Sequence, residues 1–177
     1  MRKQLDPRIP TIIRNNVHTN HRSFFVLVGD KARDQVVNLH FLLSQSRHSA
    51  RPNVLWCYKK DLGFTTHRKK REQKIKRDIK RGIREKGDSQ DPFELFVGIT
   101  DIRYCYYKDT PKILGRTFGM VILQDFEAMT PNLLARTIET VEGGGIVVLM
   151  LRTMTSLRQL YGMGMVRMRP CLKGSVR

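Results

Sequence analysis

Cysteine is scarce in this chain: Cys57, Cys105 and Cys171 make an odd set of three, and no C-x-x-C pair occurs. Neither a disulfide framework nor a zinc knuckle is suggested by such a set. Cys57 and Cys105 lie inside apolar runs and read as small buried hydrophobes. Long apolar runs are missing too. The longest, residues 146–151, falls far short of the roughly 20 residues that span a bilayer. The first residues, Met1-Arg2-Lys3-Gln4-Leu5-Asp6-Pro7, hold no apolar core for a secretory signal. The expectation is a chain kept in the cytosol or nucleus, with no membrane partner.

Phosphate-binding signatures are absent as well. Neither G-x-x-x-x-G-K-[ST] nor G-x-G-x-x-G occurs, and Gly29 stands alone at the exit of the first strand. No backbone wrap for ATP phosphates is encoded. The five histidines, His18, His21, His40, His48 and His67, show no metal-ligand spacing. His40 falls within an expected helix and reads as structural. No catalytic, cofactor-binding or metal-binding residue is expected. Acids are the scarce charge: 33 Lys and Arg against 16 Asp and Glu leave a net +17 and a pI near 10.4. A field of that sign attracts polyanions, nucleic acid first, because cations on phosphates release condensed counterions.

What is present reads as one globular domain, with 177 residues, 40% hydrophobic and 28% charged. Short β-type runs alternate with helical segments. Strands are expected at 23–28, 53–58, 102–107, 120–123 and 146–151. Helices are expected at 32–44 and 131–141, the second with Thr130 as N-cap and Pro131 in its first turn. Gly143-Gly144-Gly145 would stop it, as a tight turn or as a close approach for a backbone or ligand. A short helix could pack residues 7–21 on the sheet edge through Ile12 and Ile13, and another could run from Thr155 or Ser156 to Tyr161. Residues 26–28 and 146–151 are apolar without alternation, as in parallel strands buried on both faces. The fold class is α/β: an open, mostly parallel sheet with helices on both faces, RecA- or Rossmann-like but without a phosphate loop.

The most distinctive local feature follows the second strand. Between His67 and Arg84, Ile75, Ile79 and Ile83 recur every four residues along an otherwise cationic segment. Such a helix can dock on its apolar stripe and turn a row of cations outward. Arg68, Lys69, Lys70, Arg71, Lys74, Lys76, Arg77, Lys80, Arg81 and Arg84 are the candidate RNA-binding residues, suited to following a phosphate backbone. A solvated charged face, or an import signal at Lys69-Lys70-Arg71, is the plainer reading. No aromatic residues interleave the run as stacking platforms, so the expected contact is to backbone and shape. At the fourth strand exit, Gln124-Asp125-Phe126-Glu127 sets acids where nucleotide-hydrolysing folds hold magnesium. Without a phosphate loop, capping the next turn or pairing with an Arg is the favoured reading.

Longer stretches carry a family resemblance. Val54-Leu55-Trp56-Cys57-Tyr58-Lys59-Lys60, Leu62-Gly63-Phe64-Thr65-Thr66-His67-Arg68-Lys69-Lys70-Arg71 and Asp91-Pro92-Phe93-Glu94 resemble the N-terminal region of the eukaryotic RNA cytidine acetyltransferases. So do residues 123–137 and 139–145. The similarity runs from about residue 1 to residue 165. It implies a protein of the nucleus and nucleolus that forms N4-acetylcytidine in 18S rRNA and tRNA and serves small-subunit ribosome biogenesis. RNA (an rRNA precursor or tRNA) and pre-ribosomal proteins would be its partners. Acetyl-CoA and ATP with magnesium are implied for later ATPase and acetyltransferase modules, through which it could also oligomerise. No residue of those modules has a counterpart here, so no cofactor is expected in this chain and no unaided acetylation. Residues 166–177 depart from the family pattern and are expected to form a disordered tail. An alternative transcript, a frameshift or a truncated product would each explain them. The rival reading is a stand-alone RNA- or pre-ribosome-binding protein with no link to acetylation.

Overall fold

The computed structural model describes residues 6–29, 32–47, 51–59, 77, 92–152 and 158. Five strands form one sheet: β1 (Ser23–Val28), β2 (Val54–Tyr58), β3 (Ile102–Tyr106), β4 (Phe118–Leu123) and β5 (Val141–Leu151). Their order is β1-β5-β4-β2-β3, and every pair is parallel. Four helices are described: α1 (Arg8–His18), α2 (Ala32–Ser46), α3 (Pro92–Ile99) and α4 (Pro131–Glu139). A 3-10 segment, Tyr107–Ile113, joins β3 to β4.

The winding follows from connection handedness. From β1 to β3 the chain moves one way across the sheet, and from β3 to β5 it returns. Because parallel crossovers keep one hand, the reversal sends later connections to the opposite face. Accordingly α1, α2 and α3 pack on the first face, where Ile13, Val36, Leu43, Phe93 and Val97 meet Val54, Trp56, Met120 and Ile146. The 3-10 segment and α4 pack on the second, where Ile113, Leu133 and Ile138 meet Leu55, Val121, Leu123 and Val147. The α/β fold with a parallel sheet covered on both faces is therefore as expected. The middle strands β2 and β4 are buried at every position, which is why they read as continuous apolar runs.

Several expectations need correction. Residues 26–28 are not buried on both faces: β1 is an edge strand, and Phe24, Val26 and Val28 are exposed. Phe25 and Leu27 pack on the first-face core, while the alternate residues Phe24, Val26 and Val28 share the other face, which the described residues leave open at this edge of the sheet. Of the expected Ile12–Ile13 anchor only Ile13 is buried, with Ile9 and Val17 packed beside it, while Ile12 is exposed. Helix α1 lies mainly against α2 and β5 rather than on the sheet edge. β3 ends at Tyr106, where Tyr107 starts the 3-10 segment, and β4 begins at Phe118. Gly143, Gly144 and Gly145 do not stop a helix or form a turn; they lie inside β5, which starts at Val141. Their close approach is to the chain's own backbone. A Cβ at Gly143 would stand 3.1 Å from the Asn20 carbonyl oxygen, and one at Gly145 2.8 Å from that of Gly119. The helix before them stops at Glu139, with Thr130 as its N-cap, accepting from the Leu133 amide at 3.3 Å. The expected helix at 155–161, apart from Arg158, and the tail 166–177 lie outside the described residues.

Candidate nucleic-acid interface

In open parallel sheets, ligands bind beyond the C-terminal ends of strands, where neighbouring strands send their connections to opposite faces. Here that place lies between β2, which leads to the first face, and β4, which leads to the second. The protein ties this point together with its own polar groups. The Gln124 amide donates to the Cys57 carbonyl at 3.0 Å. Fully buried Trp56 donates its indole N–H to Gln124 Oε1 at 3.1 Å. The Tyr107 hydroxyl donates to the Gln124 carbonyl. Burial pushes that phenol up, so it stays a neutral donor. The Lys59 amide donates to Asp125 Oδ2 at 3.0 Å.

Those bonds decide what the acids do. Asp125 adopts a left-handed backbone, φ 58°, tolerated by a short polar side chain. Its carboxylate anchors the first residue beyond β2, and Glu127 stands 3.9 Å from the Arg152 guanidinium. Pairing with an Arg is what the sequence suggested for such an acid. The Asp125 contact, across two strand exits, replaces the expected cap of the next turn. His40 is structural, as read: its Nε2 lies 3.0 Å from the Pro52 carbonyl and its ring meets Phe96 edge-on. Cys57 and Cys105 face each other in register on β2 and β3. Donating a hydrogen bond to Cys105, and then burial, push the Cys57 thiol far up and leave it inert.

In the chain, the cationic run follows the exit of β2 at this point. β2 ends at Tyr58 and α3 begins at Pro92, so residues 59–91 form one long connection that starts at the switch point. It carries 13 Lys and Arg against 6 Asp and Glu, including all ten candidates. Lys59, its first residue, is exposed, and Arg77 is helical and exposed. Arg68, Lys69, Lys70, Arg71, Lys74, Lys76, Lys80, Arg81 and Arg84 lie outside the described residues, as do Ile75, Ile79 and Ile83.

Sequence reasoning missed one feature of this edge. Tyr58 and Tyr106 are register partners at the ends of β2 and β3, their ring centroids 4.4 Å apart and tilted by 44°. Their numbers are 48 apart, and only strand pairing joins them. At the opposite end of the sheet, a shallow cavity of about 410 Å³ is lined by Asn53, Asp101, Arg103, Arg116 and Thr117. Its mixed charge and its distance from the strand exits separate it from the basic run. Among the described residues, no helix is long and apolar enough to cross a membrane.

The family model described as tRNA(Met) cytidine acetyltransferase TmcA, N-terminal, matches residues 1–161. The RNA cytidine acetyltransferase of Schizosaccharomyces pombe is 72% identical over 165 residues, covering 93% of this chain and 16% of that protein. Its counterpart in Homo sapiens is 62% identical over 161 residues, covering 90% and 16%. That of Saccharomyces cerevisiae is 62% identical over 165 residues, covering 93% and 16%. The chain thus spans about 16% of the length of these curated relatives.

Proposed function

We propose, from the premise that this chain belongs to the RNA cytidine acetyltransferase family as its N-terminal domain, that it holds RNA and scaffolds the assembly around it. The observation that carries this reading is the placement of the basic connection. It leaves the sheet at the topological switch point, where Lys59 is pinned to Asp125. Cations carried by that segment neutralise phosphates, and the released counterions supply affinity without reading sequence. In this reading the whole protein forms N4-acetylcytidine in 18S rRNA and tRNA and takes part in small-subunit ribosome biogenesis in the nucleolus. Acetyl-CoA and ATP with magnesium belong to modules outside these residues. Pre-ribosomal proteins are the further partners, and oligomerisation runs through those other modules.

The test is RNA binding across a salt series, with the wild type beside a variant carrying Lys70, Arg71, Lys74 and Arg77 all changed to Ala. If each meets one phosphate, the slope of log affinity against log salt flattens by about 3 for single strands, at roughly 0.7 per phosphate. An unchanged slope assigns the run to a solvated face or an import signal and overturns the proposal.

A further inference from the structure

We propose that Tyr106, backed by Tyr58, is a stacking platform for one unpaired base of single-stranded RNA. The inference rests on the RNA-binding reading above and adds to it a contact that the basic run cannot make. Parallel register between β2 and β3 sets the two rings side by side at the C-terminal edge of the sheet. The inner ring, Tyr58, is only 7% exposed, while Tyr106 on the edge strand is 48% exposed. One ring is therefore held by the core and holds the other, which still shows much of its surface to solvent.

That division suits a base. A ring already fixed by a strand and by a neighbour loses little side-chain freedom when a ligand stacks on it. Every base has a π-face, so stacking is sequence-tolerant and adds to phosphate contacts rather than replacing them. The flanking residues match a polyanion: exposed Lys59 follows Tyr58 directly, and exposed Lys108 stands two residues beyond Tyr106. An aromatic plane flanked by cations such as Lys59 and Lys108 is the arrangement that binds single strands. A duplex keeps its bases stacked inside and cannot use the plane.

The experiment uses the whole 177-residue chain with Tyr106→Ala, Tyr106→Leu and Tyr106→Phe. Each is titrated with a single-stranded oligouridylate and with a blunt RNA duplex of the same length, across salt. Ala and Leu should weaken oligouridylate binding about 5- to 150-fold, leaving the salt slope and duplex affinity unchanged. Phe should bind as the wild type does. Leu keeps apolar bulk without a π-face, so its loss separates stacking from packing. If Ala and Leu bind oligouridylate like the wild type while the slope still depends on the basic residues, the platform is overturned and the RNA reading stands. Equal losses on strand and duplex also overturn it. If the wild type binds neither RNA, both proposals fall.

Discussion

His40 shows how a polar side chain lives inside this core. It is buried against Phe96, with the Pro52 carbonyl as its partner. Burial, aided by the Arg51 charge and opposed by the Pro52 hydrogen bond, holds its pKa below the ordinary 6.5. The unfolded chain therefore takes up this proton at a higher pH than the folded one. The contribution to stability is complete above the unfolded pKa and falls as pH drops below about 6.5, by at most about 1.4 kcal/mol per pH unit. His40→Gln keeps a donor and does not titrate. The variant should lose less stability than the wild type between about pH 7 and about pH 5. Paired denaturant titrations at each pH, followed through Trp56, the single tryptophan, check this. An identical pH dependence in both proteins would show that His40 does not titrate on unfolding. Its structural role was legible from its place among the apolar residues of α2. Its partner was not, because Pro52 reaches it only once β2 lies beside the helix.

Among the elements, β5 depends most on small residues. Its first half threads Gly143, Gly144 and Gly145 between the α1–β1 turn and β4, where Gly119 accompanies a register shift. Arg47 of the segment after α2 closes this corner through the Glu142 carboxylate and, at 3.2 Å, the Gly143 carbonyl. A Cβ at Gly145 would stand 2.6 Å from Val141 Cγ1 and 2.8 Å from two carbonyl oxygens, those of Glu142 and Gly119. Backbone cannot yield as a side-chain tip can. Gly145→Ala should cost about 1–3 kcal/mol, read as a lower denaturant midpoint by Trp56 fluorescence. A midpoint like that of the wild type would mean that β5 shifts freely here. The sequence marks these glycines as special. It could not show that strand packing, rather than a turn or ligand, requires them. Helix α4 was more legible, because Thr130 and Pro131 form a local start signal that needs no distant partner.

At the scale of the whole molecule, the described polar groups at the switch point are spent on holding two strand exits together. No phosphate loop occurs in these 177 residues. The purified chain should therefore show no ATP hydrolysis and no cytidine acetylation when given RNA, acetyl-CoA and ATP. Phosphate release and mass spectrometry of digested nucleosides measure both. Acetylated cytidine above background would overturn the assignment of these residues to holding rather than chemistry.

The division between what was legible and what was not follows the range of each interaction. Composition, charge, caps and apolar runs are local properties. They sufficed for an α/β chain with a parallel sheet, for β1, β2, β3 and β4 nearly to their ends, and for the second half of β5. They also single out the cationic run as the candidate that the salt series tests. Strand order depends on contacts between residues far apart in number, and the sequence does not display it. Only the tertiary structure placed β1 at an edge, exposing Phe24, Val26 and Val28 from a run that reads as buried. It alone set β2 beside β4, so that the basic connection starts at a switch point, and β2 beside β3, so that Tyr58 backs Tyr106. Hydrophobic burial selects which segments enter the sheet, while crossover handedness and register decide which residues meet at its edge.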